Sequence, residues 1–167
     1  MDKMRWIKDL VLAEQQMEES GIIDMDAGFN QSETLKAETV DFLKDIKDQF
    51  IESASAFNQL KCSTVGTLKI YGISKTVADF MLFRNGHKLI FSMKQPGLIQ
   101  IYKNQIGSQF AAGTPVSEMQ TSSPQVDALV ATWGAFGDLT WTFKSKPIRI
   151  DYLVRFYFSQ FVKESSK

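Results

Sequence analysis

The chain is poor in the residue types that cross-links and many catalytic or metal centres require. It has one cysteine, Cys62, and one histidine, His87, among 167 residues. A single cysteine excludes an intramolecular disulfide, and these two residues cannot make a structural zinc site. As a nucleophile and base they lack any local cysteine-hydrolase signature. The composition therefore predicts no metal site and no cofactor.

Long hydrophobic runs are also missing. No stretch approaches the roughly 20 apolar residues of a membrane-spanning helix. The first segment, MDKMRWIKDLVLA, offers a basic start, but Lys8 and Asp9 interrupt its apolar part, and no small-residue cleavage site follows. We therefore expect a cytoplasmic protein with neither a secretory signal nor a transmembrane segment.

Motifs that carry chemistry are incomplete wherever they begin. Asp24 and Asp26 start like a calcium loop, but Phe29 and Leu35 stand where such a loop needs glycine and glutamate. The segment GISKT at 72–76 has neither the frame of a phosphate-binding loop nor the second glycine of a nucleophile elbow. The sequence therefore assigns no catalytic residue, and an enzyme is the least favoured class.

Charge is balanced overall but unevenly distributed. The formal net charge is zero, yet residues 1–60 hold six Lys/Arg against thirteen Asp/Glu, whereas residues 61–103 hold seven Lys/Arg against Asp79 alone. Such asymmetry can mark a polyanion-binding surface, but an acidic helix beside a basic sheet is the favoured explanation, because surface charges of both signs are normal. The polyanion hypothesis would use Lys69, Arg84, Lys88, Lys94 and Lys103, with Tyr71, Phe83 and Tyr102 as stacking groups. Nucleic acid is disfavoured, because the chain has no RNP-like run.

The first 20 residues predict an amphipathic helix over 4–18. Basic residues crowd its start and acidic residues its end, an order that opposes the helix macrodipole. A helix of this length is marginal alone, so we expect its apolar stripe to dock on its own domain or on a partner. That stripe consists of Trp6, Ile7, Leu10 and Val11.

A linker at 21–31 separates this helix from the longest periodic segment. Asn30 or Ser32 is the expected N-cap of a helix that runs to about Leu60. Its apolar residues fall on one side and most of its charges on the other, as expected of a helix that covers a sheet.

The period then changes to two, which predicts strands. The segment FMLFRNGHKLIFS contains Asn85-Gly86, the preferred dipeptide of a type I′ hairpin. A two-residue turn predicts that Arg84 opposes His87, Leu82 opposes Leu89 and Phe80 opposes Phe91. Pro96-Gly97 predicts a type II turn into the next strand, which contains Ile99 and Ile101.

The remaining third of the chain predicts a loop or lid, a helix, a strand and a final helix. Residues 104–123 are small and polar. Ser123-Pro124 is a helix-start signal, and apolar residues from Val126 to Trp133 follow at helical spacing. LTWTFKS at 139–145 alternates like a strand, and an aromatic helix follows Pro147 from about Ile148.

This order predicts an α+β fold. An antiparallel β-meander of four to five strands packs against the long helix and the aromatic C-terminal helix. The chain divides into an N-terminal amphipathic helix (1–20), a linker (21–31) and one α+β domain (32–167).

The C-terminal helix, IDYLVRFYFSQFV, is apolar on more than one side. We expect Tyr152 and Phe156, with either Phe158 or Ser159, to face the sheet. Leu153, Tyr157 and Phe161 would then remain for a second cover, either the rest of the core or a protein interface.

Three functions follow. The first is a non-catalytic interaction or adaptor module that forms a homodimer or a hetero-complex through the aromatic C-terminal helix. The alternative is a small apolar ligand- or lipid-binding domain with 104–123 as its lid. Polyanion binding by the basic sheet is the third.

Overall fold

The computed structural model describes residues 4–105 and 126–166. The helices are α1 (Arg5–Ser20), α2 (Gln31–Lys61) and α3 (Ile150–Ser165), and the strands are β1 (Lys69–Gly72), β2 (Phe80–Arg84), β3 (His87–Gln95), β4 (Leu98–Gln105), β5 (Asp127–Trp133), β6 (Leu139–Phe143) and β7 (Lys146–Pro147). The strands form one antiparallel sheet in chain order. The α+β meander is therefore confirmed, with seven strands where four to five were expected.

The β2–β3 hairpin has the predicted register. Arg84 pairs with His87, and the pairing continues to Phe80 opposite Phe91. Asn85 and Gly86 both have positive φ, 49° and 82°, as a type I′ turn requires. Local turn chemistry thus fixes which side chains of both strands share a face.

Helix α2 begins and ends where its sequence signals indicate. The Asn30 side chain accepts a hydrogen bond from the Glu33 backbone N–H, which is the N-cap interaction. Four of its apolar side chains, Leu43, Ile46, Phe50 and Ala54, are buried. Phe50 packs against Phe80 and Phe91 of the sheet, with ring centroids 6.0 and 5.1 Å away.

The predicted helix after Ser123-Pro124 is wrong. Residues 127–133 form β5, a strand between β4 and β6, and Ser123-Pro124 lies outside the described residues. This segment fits both periods. Apolar residues from Val126 to Trp133 recur at helical spacing, and Leu129, Ala131 and Trp133 also alternate as in a strand. Strand pairing on both sides, which no local pattern reveals, favours the extended form.

The predicted orientation of α3 is also wrong. Tyr157 is only 5% exposed and Leu153 and Phe161 are buried, whereas Tyr152 and Phe156 are exposed, Phe156 at 61%. Tyr157 packs edge-on against Phe91, with centroids 5.8 Å apart. In a helix with apolar residues on several sides, the packing surface selects which side turns inward.

Helix α1 lies outside the core. None of its residues is buried, and Leu10 contacts the linker at Gly28. Its first turn holds no acidic residue and its last turn no basic residue, so its charges oppose the macrodipole as predicted. In the described part of the chain no helix is long and apolar enough to span a bilayer.

Candidate interaction surfaces

Among the three helices, α1 has the most exposed large apolar side chains. Met4, Trp6, Ile7 and Val11 are all exposed, Trp6 at 54% and Val11 at 50%. Residues 4, 7 and 11 share one side of the helix by their spacing. Leu12 is also exposed, but it lies on the polar side of the helix, because it is seven residues from both Arg5 and Glu19. We call Met4, Ile7 and Val11 the α1 stripe.

A second group of apolar side chains on α1, next to the α1 stripe, is partly covered. Leu10, Ala13 and Met17 have intermediate exposure, and a Cβ placed on Gly28 would lie 3.4 Å from Leu10. Gly21 ends the helix in the left-handed conformation, and its N–H bonds to the Met17 carbonyl. The linker thus folds back against one edge of α1, while Ile7 and Val11 of the α1 stripe remain exposed.

The exposed part of α3 is small. Tyr152 lies under the Arg149 guanidinium, 5.2 Å from ring centroid to carbon. Phe156 packs edge-on against Tyr157 at 5.1 Å. Of the C-terminal residues that the sequence offered for interaction, only these two aromatic side chains remain largely exposed; Phe158 is partly buried against Phe57.

The end of α3 is held by the β2–β3 turn. Arg84 is buried and donates to the carbonyl oxygens of Gly66 (2.8 Å) and Val162 (3.0 Å) and to the Ser165 hydroxyl (3.3 Å). Asn85 donates to the Ser165 carbonyl at 2.8 Å. The Val162 and Ser165 carbonyls belong to the last turn of α3, which lacks intrahelical donors, whereas Gly66 lies in the loop between α2 and β1. Arg84 is thus a structural residue.

The predicted polyanion residues divide between the two faces of the sheet. Lys69 and Lys88 lie in register with Phe83 on the face away from α2 and α3. Lys103 lies on the helix side with Arg84 and forms an ion pair with Glu164 at 2.8 Å. Lys94 is exposed at the irregularity between Met93 and Gln95.

One buried polar pair joins α3 to β5. The Tyr157 hydroxyl donates to Asp127 at 2.6 Å. Burial, and then the hydrogen bond and charge of Asp127, raise the pKa of Tyr157 well above its usual range. A raised pKa keeps the phenol neutral, which suits a structural donor rather than a base.

Two hollows flank this pair, and both are open to solvent. One, of about 550 Å³, lies along β5 and β6 and includes Val130 and Thr142. The other, of about 230 Å³, lies between Lys103, Phe156 and Gln160. Neither is an enclosed apolar cavity of the kind that buries most of a small ligand. The proposed lid at 104–123 lies almost entirely outside the described residues.

The described residues show no cluster of metal ligands. They contain no group of three His, Cys, Asp or Glu side chains that could hold a metal ion. Cys62 is exposed, and its thiol donates to the Gln59 carbonyl. Comparison with protein-family models, curated proteins and solved structures finds no significant match. A proposal for function therefore rests on the exposed surfaces of the protein.

Proposed function

We propose that this protein is a non-catalytic interaction module that self-associates through α1. The observation that supports it is the exposed α1 stripe on a helix with no buried residue. The sequence pointed first to the aromatic C-terminal helix, but most apolar side chains of α3 are used in the core. Tyr152 and Phe156 are a smaller, secondary surface.

Helix α1 packs along one edge only, so the domain contributes little to its stability. A 16-residue helix is marginal in water without tertiary packing, and its charges oppose the macrodipole. Fully burying one valine or isoleucine side chain contributes about 1.5–3 kcal/mol. Covering the α1 stripe would therefore stabilise both the helix and the assembly.

The charge order of α1 favours a second copy in antiparallel orientation. Arg5 and Lys8 lie near the start of the helix, and Glu14, Glu18 and Glu19 near its end. If two helices cross at Val11, Lys8 of one copy is level with Glu14 of the other. Antiparallel packing also opposes the two macrodipoles, so the charges that destabilise one helix stabilise the pair.

Light scattering coupled to size-exclusion chromatography tests this proposal on the full chain. From low micromolar to hundreds of micromolar, we expect a species of twice 18.9 kDa. Ile7→Asp places a charge in the α1 stripe and is expected to give a folded monomer. Leu12→Asp is the matched control, since Leu12 is exposed on the polar side of the same helix, and it should leave the dimer intact.

Two results would contradict the proposal. One is a monomer at every concentration of the unmodified chain. The other is equal dissociation of the dimer by Ile7→Asp and Leu12→Asp, which would mean that helix stability rather than the α1 stripe controls assembly.

A further inference from the structure

The face of the sheet opposite α2 and α3 carries an ordered set of aromatic and basic side chains. In the register, Tyr71, Met81, Ile90 and Tyr102 form one cross-strand row, and Lys69, Phe83 and Lys88 form the adjacent row. The residues that alternate with them along the strands, such as Leu82 and Phe91, point to the other face and are buried against the helices. We call these seven residues the outer platform.

The aromatic rings of the outer platform are accessible. Tyr71 is 43% exposed, and Phe83 and Tyr102 are partly exposed. The Tyr71 and Phe83 rings contact each other with centroids 6.4 Å apart. Tyr102 lies three strands away from Tyr71, or roughly 14 Å at the usual strand spacing. Ile90, nearly buried between them, forms an apolar floor.

Charge on this face has one sign. Among its described strand positions, Lys69 and Lys88 are charged and none is acidic. The acid at its border, Asp79, accepts hydrogen bonds from the Ser92 hydroxyl (2.7 Å) and the Met93 backbone N–H (2.9 Å). The lysine of the helix side, Lys103, has its own carboxylate partner. Two lysines against one bordering carboxylate therefore leave a net positive charge beside the aromatic rings.

We infer that the outer platform binds single-stranded nucleic acid. Two separated aromatic positions stack unpaired bases, because every base has a π-face, and the flanking lysines contact the phosphates. An apolar floor with exposed rings fits bases better than it fits a purely anionic polymer, which offers no surface to stack. The chain has no RNP-like run, so the geometry predicts binding with little sequence preference.

Fluorescence anisotropy with fluorescein-labelled oligo-dT and oligo-U of about 16 nucleotides tests this inference on the full chain. We expect binding at about 50 mM salt that weakens strongly by about 200 mM. Tyr71→Leu and Tyr102→Leu retain apolar packing but lose the ring, and each should weaken binding at least about fivefold. The Lys69→Gln/Lys88→Gln pair should lower the slope of log K against log salt by about 1.4.

The matched control is Lys36→Gln/Lys44→Gln, which removes the same charge from exposed positions of α2 and should leave the slope unchanged. Thermal melts confirm that each variant is folded. Absence of binding by the unmodified chain at the lowest salt would overturn the inference. So would tyrosine variants that bind like the unmodified chain while the outer lysine pair weakens binding, since charge alone would then explain it. No residue of α1 is involved, so this result is independent of self-association.

Discussion

Replacing Arg84 tests how the hairpin supports α3. The Arg84→Met change keeps an unbranched side chain but removes every donor, leaving the Gly66 and Val162 carbonyls without this partner. It also removes the guanidinium stacked 5.3 Å from the Phe57 ring centroid. A buried acceptor left unsatisfied costs about 1–3 kcal/mol and the lost cation–π contact about 0.5–1 kcal/mol. Relief of guanidinium desolvation offsets part of this, and the Gly66 carbonyl keeps the Lys61 ammonium as a donor, so we expect a net loss of about 1–3 kcal/mol.

Urea unfolding measures this loss as a lower free energy of unfolding with an unchanged slope. Arg155→Met is the matched control, since Arg155 is an exposed arginine of α3, and it should change stability by no more than about 0.5 kcal/mol. Arg84→Lys should fall between the two, because an ammonium cannot reproduce the fork of the guanidinium. A loss below about 1 kcal/mol for Arg84→Met would refute the structural role assigned to this residue.

Two further predictions concern α3. Tyr157→Asp buries a charge next to Asp127 and should unfold the domain or cost more than about 3 kcal/mol. Phe156→Asp changes an exposed position and should remain folded. Circular dichroism and urea titration compare the two variants, and equal destabilisation would contradict the observed orientation of α3. The raised pKa of Tyr157 means that the folded state holds this proton more tightly than the unfolded state. Stability from this group is therefore complete below the ordinary tyrosine pKa near 10, and it falls by up to about 1.4 kcal/mol per pH unit above it. Tyr157→Phe should remove this alkaline slope, and an unchanged slope between pH 10 and 12 would show that other groups cause it.

Local chemistry explains the elements that the sequence predicts well. The Asn85-Gly86 turn fixes the hairpin register within a few residues, and the Asn30 cap fixes the start of α2. Both features can be predicted from the sequence alone. The interacting groups of the cap are three residues apart, and the paired residues of the hairpin lie directly across a two-residue turn.

Elements whose state depends on distant partners are predicted poorly. DALVATW is a strand because β4 and β6 supply its hydrogen bonds. The choice of Tyr157 over Phe156 as the buried aromatic of α3 depends on where Phe91 and Asp127 lie.

The same limit applies to the surfaces. The hairpin turn already separates Lys88 from Arg84 in the sequence, but placing Lys69 on the same face as Lys88 requires the β1–β2 pairing. The helical spacing of α1 is evident from the sequence, whereas its lack of cover within the domain requires the tertiary structure. Candidate residues could thus be named from the pattern, but their grouping into surfaces could not.

The most direct test of self-association through α1 is site-specific cross-linking. In a Cys62→Ser background, Val11→Cys places a thiol at the proposed crossing point, whereas Leu12→Cys places one on the polar side. Both positions are exposed in the single chain, so accessibility does not distinguish them. We predict that mild oxidation gives a disulfide-linked dimer with Val11→Cys and little with Leu12→Cys. Equal cross-linking of both variants, or none with Val11→Cys, would contradict the antiparallel α1 pair.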